Sequence, residues 1–165
     1  MKNRYHFVRP LLLVSVLFVQ CSASRKLHIA DRNAETVRLW FEEGWNKNNN
    51  LALVDRVFSP EWEDGNPLRG DQTEGLEGIR QTVRFYEKAF TDAHFTITHL
   101  FATDKQVAIR YNVVAIHSGD AFGIPRTDKK FSSTGIVLYD MDHGKIKRSW
   151  QELDLMAIIS QLKDK

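Results

Sequence analysis

The chain has 165 residues, 23 Lys and Arg against 21 Asp and Glu, and a single cysteine. Lys2, Arg4 and Arg9 lie ahead of an apolar run, and without them the remainder is close to neutral. It therefore lacks the basic excess that would mark a nucleic-acid partner. One cysteine also excludes an intramolecular disulfide framework.

At the N-terminus, the basic start is followed by the apolar run Leu11–Val19 and the small residues Cys21, Ser22, Ala23 and Ser24. This is the pattern of an export signal, and nine apolar residues are too few to span a bilayer, which needs about 20. Two processing routes stay open for residues 1–23. Cys21 stands where a lipoprotein thiol would be lipidated, and a cut after Ala23 would be ordinary signal cleavage. The expectation is an exported protein, periplasmic or lipid-anchored, with one domain over residues 31–165.

Within that domain, Val37, Trp40, Phe41 and Trp45 have helical spacing, so a helix is expected over residues 33–48 with Asp31 or Asn33 as its cap. A second short helix follows to Phe58, stopped by Ser59-Pro60. Residues 61–75 read as a loop because Gly65, Pro67, Gly70 and Gly75 interrupt any period. A third helix follows from Leu76 to Phe90, with Ile79, Val83 and Tyr86 on its buried face.

From Ala93 the period becomes two. Phe95, Ile97, His99 and Phe101 predict one face of a strand, and residues 106–117 predict a second strand. Residues 131–141 and 145–153 flank Asp142-His143-Gly144 as a hairpin, and Leu155–Leu162 closes the chain as a helix. Strict alternation along the last strand puts Arg148, Trp150, Glu152 and Asp154 on the same face as Ile146. Helices followed by an antiparallel meander give an α+β architecture.

Several segments, in this order, resemble the SnoaL-like polyketide cyclase family of the nuclear-transport-factor-2-like superfamily. They are Glu74-Gly75-Leu76-Glu77-Gly78-Ile79, Ala89-Phe90-Thr91-Asp92-Ala93-His94-Phe95, Val107-Ala108-Ile109-Arg110-Tyr111, His117-Ser118-Gly119, Gly123-Ile124-Pro125 and Gly144-Lys145-Ile146 with Trp150 and Glu152-Leu153-Asp154. The resemblance implies a cone-shaped barrel, with three N-terminal helices on a curved antiparallel sheet of four or more strands and a short C-terminal helix. It also implies a small hydrophobic ligand and no cofactor. In the family's cyclases an aspartate near the end of the last strand is the general base, and the motif match places that role on Asp154. Asp154 also stands where an aspartate would cap the last helix, and both readings are open.

His117, at a strand end, is a candidate proton carrier or a hydrogen-bonded rim residue. Trp62, Tyr111, Arg148, Trp150 and Glu152 are candidate ligand-binding residues; for Arg148 and Glu152 a surface ion pair is the plainer account. His28, His94, His99 and His143 have no metal-ligand spacing, so no metal is expected. No glycine-rich phosphate loop follows a strand. Three functions fit: a cofactor-independent cyclase or isomerase, an exported binding protein without turnover, and an epoxide hydrolase. A homodimer through the sheet face of Phe131, Ser133, Gly135 and Val137 is compatible with the superfamily.

Overall fold

The computed structural model describes residues 9–67, 70 and 72–163, with side chains from residue 24 onward. The Cys21 thiol and the expected processing positions fall outside the residues whose side chains are described. Helix α1 spans Arg9–Leu39 and runs into a π-helical turn, Trp40–Gly44, and a 3-10 turn, Trp45–Lys47. The expected caps Asp31 and Asn33 are therefore inside a helix. Asn33 is buried on the same stripe as Ala30 and Val37, and its Nδ2 donates to Thr103 O at 3.0 Å. A polar side chain is tolerated there because a loop carbonyl meets it. Among the described residues no helix is long and apolar enough to cross a membrane.

Helix α2 (Asn50–Val57) leads directly into strand β1 (Phe58–Asp64), then helix α3 (Gly75–Ala89). Strand β1 replaces the first part of the expected loop and separates the second and third helices, so the three helices do not form an uninterrupted N-terminal set. Pro60 is tolerated because β1 is an edge strand. Strands β2 (Phe90–Ala102), β3 (Gln106–His117), β4 (Lys130–Asp142) and β5 (Lys145–Leu153) form the meander, and helix α4 (Leu155–Lys163) ends the described chain. The strand order is β1-β5-β4-β3-β2, with β1 parallel to β5 and the other pairs antiparallel. The sheet is thus curved but open, with β1 and β2 at its edges.

The register is irregular at several positions, two of which decide which side chains face the core. In β2, Ile97 pairs with Tyr111 and His99 with Arg110, leaving Thr98 as an extra residue. In β5, Met141 pairs with Ile146 and Asp140 with Arg148, leaving Lys147 as the extra residue. Each is a β-bulge, and one extra residue moves every following side chain to the opposite face. Beyond the β2 bulge, Leu100 and Ala102 pack on the core while His99 and Phe101 are exposed. Beyond the β5 bulge, Ser149, Gln151 and Leu153 point inward with Ile146. The single-face expectation for Arg148, Trp150, Glu152 and Asp154 with Ile146 is corrected accordingly.

The inner face of β3 (Val107, Ile109, Tyr111, Val113, Ala115 and His117) is buried under the helices. Phe131, Ser133, Gly135 and Val137 of β4 are also on this inner face and buried, so they are not a dimerisation surface. Edge-to-face contacts join Trp40 to Phe58 at 4.8 Å and Phe41 to Phe95 at 5.6 Å, each worth about 1 kcal/mol beyond the area buried.

Candidate functional site

Between the helices and the concave sheet lies a cavity of about 130 Å³. A void of about 150 Å³ accepts a benzene-sized ring. The helical wall is built by Trp40, Phe41, Trp45 and Val83, and the sheet wall by Tyr111, Val113, Val137 and Tyr139. Trp40 and Phe41 belong to the π-helical turn, and both are buried against the cavity. Asn46 fixes the following turn to β2, since its Nδ2 donates to Phe95 O at 2.9 Å and its Oδ1 accepts Phe95 N at 2.7 Å.

Polar groups enter this apolar space from β1, β3 and β5. Trp62 Nε1 donates to Ser149 Oγ at 3.1 Å, which satisfies a buried indole. Gln151 Nε2 donates to the Tyr111 hydroxyl at 2.8 Å, so the Tyr111 proton is not used in that bond. Burial is the main cause of a strongly raised Tyr111 pKa; Tyr86 adds to it and the Gln151 bond opposes it. Tyr139 is raised in the same direction by burial and then by Tyr111. Both phenols are therefore neutral donors at ordinary pH.

Asp64, at the end of β1, is a half-buried carboxylate on the cavity wall. Its Oδ2 accepts from Gln72 Nε2 at 2.8 Å and its Oδ1 from Asn66 N at 3.1 Å. Asn66 in turn ties this loop to β5, accepting from Gln151 N and donating to Gln151 O, both at 2.8 Å. The carboxylate is thus oriented from two sides. Glu87 also lines the cavity but is exposed at its mouth.

Of the residues singled out in the sequence, Trp62 and Tyr111 line the cavity. Arg148 is exposed, paired with Glu63 of the neighbouring strand, with its guanidinium 5.6 Å from the Trp150 ring centroid. Trp150 packs on Gly65, where a Cβ would stand 2.1 Å from its indole nitrogen. Glu152 is exposed and accepts from Asn66 Nδ2 at 3.1 Å. Asp154 is exposed and caps α4, its Oδ1 accepting Ala157 N at 2.9 Å. These four are not brought together in the cavity.

His117 is fully buried but does not line the cavity. Its Nδ1 is 3.0 Å from Thr127 Oγ1, its ring is 5.9 Å from the Phe90 ring, and its Nε2 has no hydrogen-bond partner among the described residues. Burial lowers its pKa, against smaller upward pulls from Asp120 and Asp128. Among the described residues no three His, Cys, Asp or Glu side chains are grouped to hold a metal ion.

Asp64, Gln72, Ser149 and Gln151 were not among the sequence candidates. Trp62 and Asp64 share a face by simple alternation, so reading residues 58–64 as a strand would have found Asp64. Ser149 and Gln151 required the bulge.

The family model for SnoaL-like polyketide cyclases matches residues 35–162. The chain belongs to the SnoaL-like polyketide cyclase family. Solved structures of similar shape include a protein from a Jannaschia species assigned to the SnoaL-like polyketide cyclases. It is 17% identical, with a TM-score of 0.74 over 83% of this chain and 95% of that one. TsrD from Streptomyces laurentii is 22% identical, with a TM-score of 0.70 over 82% and 96%. A candidate polyketide cyclase from Acidithiobacillus ferrooxidans is 26% identical, with a TM-score of 0.68 over 80% and 94%. No match was found among curated proteins. Against the family resemblance, the acid expected of the last strand sits at the helix cap, and the cavity's half-buried carboxylate comes from β1.

Proposed function

We propose that this SnoaL-like protein binds a small apolar carbonyl compound in its cavity and catalyses proton transfer at the carbon next to the carbonyl. Asp64 is the base and Tyr111 the donor to the carbonyl oxygen. The observation that carries the reading is that an oriented carboxylate and a phenol with a free proton line one aromatic cavity. In the step, the C–H bond breaks and its proton passes to the Asp64 carboxylate. The electron pair moves onto the carbonyl oxygen as an enolate, and the Tyr111 O–H holds that developing charge. The enolate then adds to a second carbonyl of the same molecule, closing a ring, and the alkoxide so formed takes the proton from Asp64, or the enolate takes that proton back at another carbon. No cofactor is needed for either outcome.

The test is hydrogen–deuterium exchange of 1-indanone in D2O, followed by NMR. The wild type should accelerate exchange, and Asp64→Asn should lower the accelerated rate by about 100-fold or more. Asp154→Ala should leave it unchanged. Exchange that survives Asp64→Asn removes Asp64 from the role; exchange lost with Asp154→Ala returns it to the helix cap.

A second reading is a binding protein without turnover, favoured by an inward row on β5 (Ser149, Gln151 and Leu153) that carries no acid. Thermal stabilisation by 1-indanone with no accelerated exchange would select it. Export, with Cys21 as lipid acceptor or Ala23 as cleavage point, is proposed from the N-terminal sequence pattern alone. Membrane fractionation of the wild type and Cys21→Ser would separate the two routes.

A further inference from the structure

Just beyond Asp64 the chain leaves the sheet, and a side chain carries the pairing onward. Gly65 N donates to Ser149 O at 2.8 Å, extending the β1–β5 contact by one backbone bond. The Asn66 carboxamide then takes the place of backbone. Its Oδ1 accepts Gln151 N and its Nδ2 donates to Gln151 O, both at 2.8 Å. A planar amide offers a donor and an acceptor side by side, which is what a strand residue presents to its neighbour. The second Nδ2 proton goes to Glu152 Oε1 at 3.1 Å.

Through these bonds Asn66 meets both halves of the proposed chemistry. Its backbone N donates to Asp64 Oδ1 at 3.1 Å. Gln151, held by its main chain, donates from Nε2 to the Tyr111 hydroxyl at 2.8 Å. A hydrogen-bonded path therefore runs from Asp64 through Asn66 and Gln151 to Tyr111, joining β1 to β3 by way of β5. Asn66 itself is not among the residues lining the main cavity. The alternate residues of β5 brace this end of β1. Arg148 pairs with Glu63, Trp150 packs where a Cβ on Gly65 would collide with its indole, and Glu152 holds the Asn66 amide.

We propose that Asn66 is a positioning residue that holds the Asp64 carboxylate and the Tyr111 hydroxyl in one fixed relation. The inference rests on the proton-transfer reading and adds a residue that acts without touching the ligand. Base and donor must meet the same carbonyl compound at once, and a misplacement of about 1 Å can cost about 100-fold in rate. Asparagine suits the position because both of its amide ends are used. An aspartate there would set a carboxylate oxygen against the Gln151 carbonyl.

The experiment is the 1-indanone exchange assay on the full chain, run over a range of ketone concentrations. Asn66→Ala and Asn66→Asp are each made in the wild type and in Gln151→Leu, and rates are normalised to the folded fraction seen by NMR. Each Asn66 variant should lower the rate at saturating ketone by about tenfold or more, with the half-saturating concentration unchanged. In Gln151→Leu the path to the phenol is already cut while the phenol remains. There the same Asn66 substitutions should lower the rate by about threefold at most. A loosened loop would slow both backgrounds equally, so an additive result overturns the positioning role. A raised half-saturating concentration with an unchanged saturating rate overturns it as well, by making Asn66 a ligand contact. Asn66 variants at the wild-type rate, with Asp64→Asn still slow, overturn it and leave Asp64 as the base. No acceleration by the wild type overturns it together with the proposed function.

Discussion

Gln151 on β5 holds the hydroxyl of Tyr111, two strands away on β3, at 2.8 Å across the floor of the cavity. The bond uses the phenol's acceptor side and leaves its own proton out of that contact. Tyr111→Phe leaves the Gln151 amide short of a buried partner and should cost about 1–2 kcal/mol of stability. Gln151→Leu should cost a similar amount, and the double variant should cost less than the two added together. Urea unfolding of the four proteins gives the coupling. An additive result would mean that the bond contributes nothing to the folded state.

Gly135 lies directly opposite Tyr111 in the β3–β4 ladder. A Cβ at this position would be 2.4 Å from both the Tyr111 hydroxyl and its ring carbon Cζ. The glycine is there because the phenol lies across the β4 backbone, not because of its backbone angles. Gly135→Ala should therefore destabilise by about 1–3 kcal/mol through overpacking. Combined with Tyr111→Val, most of that penalty should disappear, since the opposing ring is gone. Denaturant midpoints of the single and double variants test this, and an alanine tolerated beside the intact tyrosine would contradict the packing described.

Much of this arrangement was legible in the sequence, and the misreadings have specific causes. Strands β3, β4 and β5 and their hairpin follow from period-two patterning and from His143-Gly144, whose positive φ values suit a tight turn. Trp62 and Tyr111, both candidates from the sequence, line the cavity. The face of Asp154 was misread because alternation was carried through Lys147, where the strand holds one residue too many. His99 and Phe101 were misassigned in the same way by Thr98. A bulge has no composition signature in these segments; it appears only when two strands are laid side by side. Strand β1 was missed because Ser59-Pro60 reads as a helix stop and Gly65, Pro67, Gly70 and Gly75 read as a loop, and its pairing with β5 is distant in sequence. Asn33 resembled a cap because its carbonyl partner, on Thr103, is equally distant.

Asp154 supplies a direct contrast between capping and chemistry. Its Oδ1 meets Ala157 N in the first turn of α4, and its own backbone N donates to Thr134 O at 3.0 Å. Asp154→Ala should lower stability by about 1 kcal/mol, the usual cost of losing a cap. Asp154→Ser should recover most of it, because serine caps comparably. Affinity for cavity ligands should be unaffected in both. Thermal unfolding with and without 1-indanone measures both quantities, and a loss of affinity in the serine variant would place Asp154 in contact with the ligand after all.

His117 is expected to make the fold sensitive to acid. Burial lowers its pKa below the ordinary 6.5 despite the opposing influence of Asp120 and Asp128, and its Nε2 has no partner to receive an added proton. The unfolded chain therefore binds a proton at this position before the folded chain does. Stability is intact above about pH 6.5 and declines as the pH falls below that value toward the lowered folded-state pKa, where the loss levels off. Urea midpoints measured from pH 7.5 to about 5 should drop, and His117→Gln should flatten that part of the profile even if its midpoints are lower throughout. Because the comparison is one of slopes, a variant that is merely less stable does not mimic it. Parallel profiles for the two proteins would show that the acid sensitivity arises from another group.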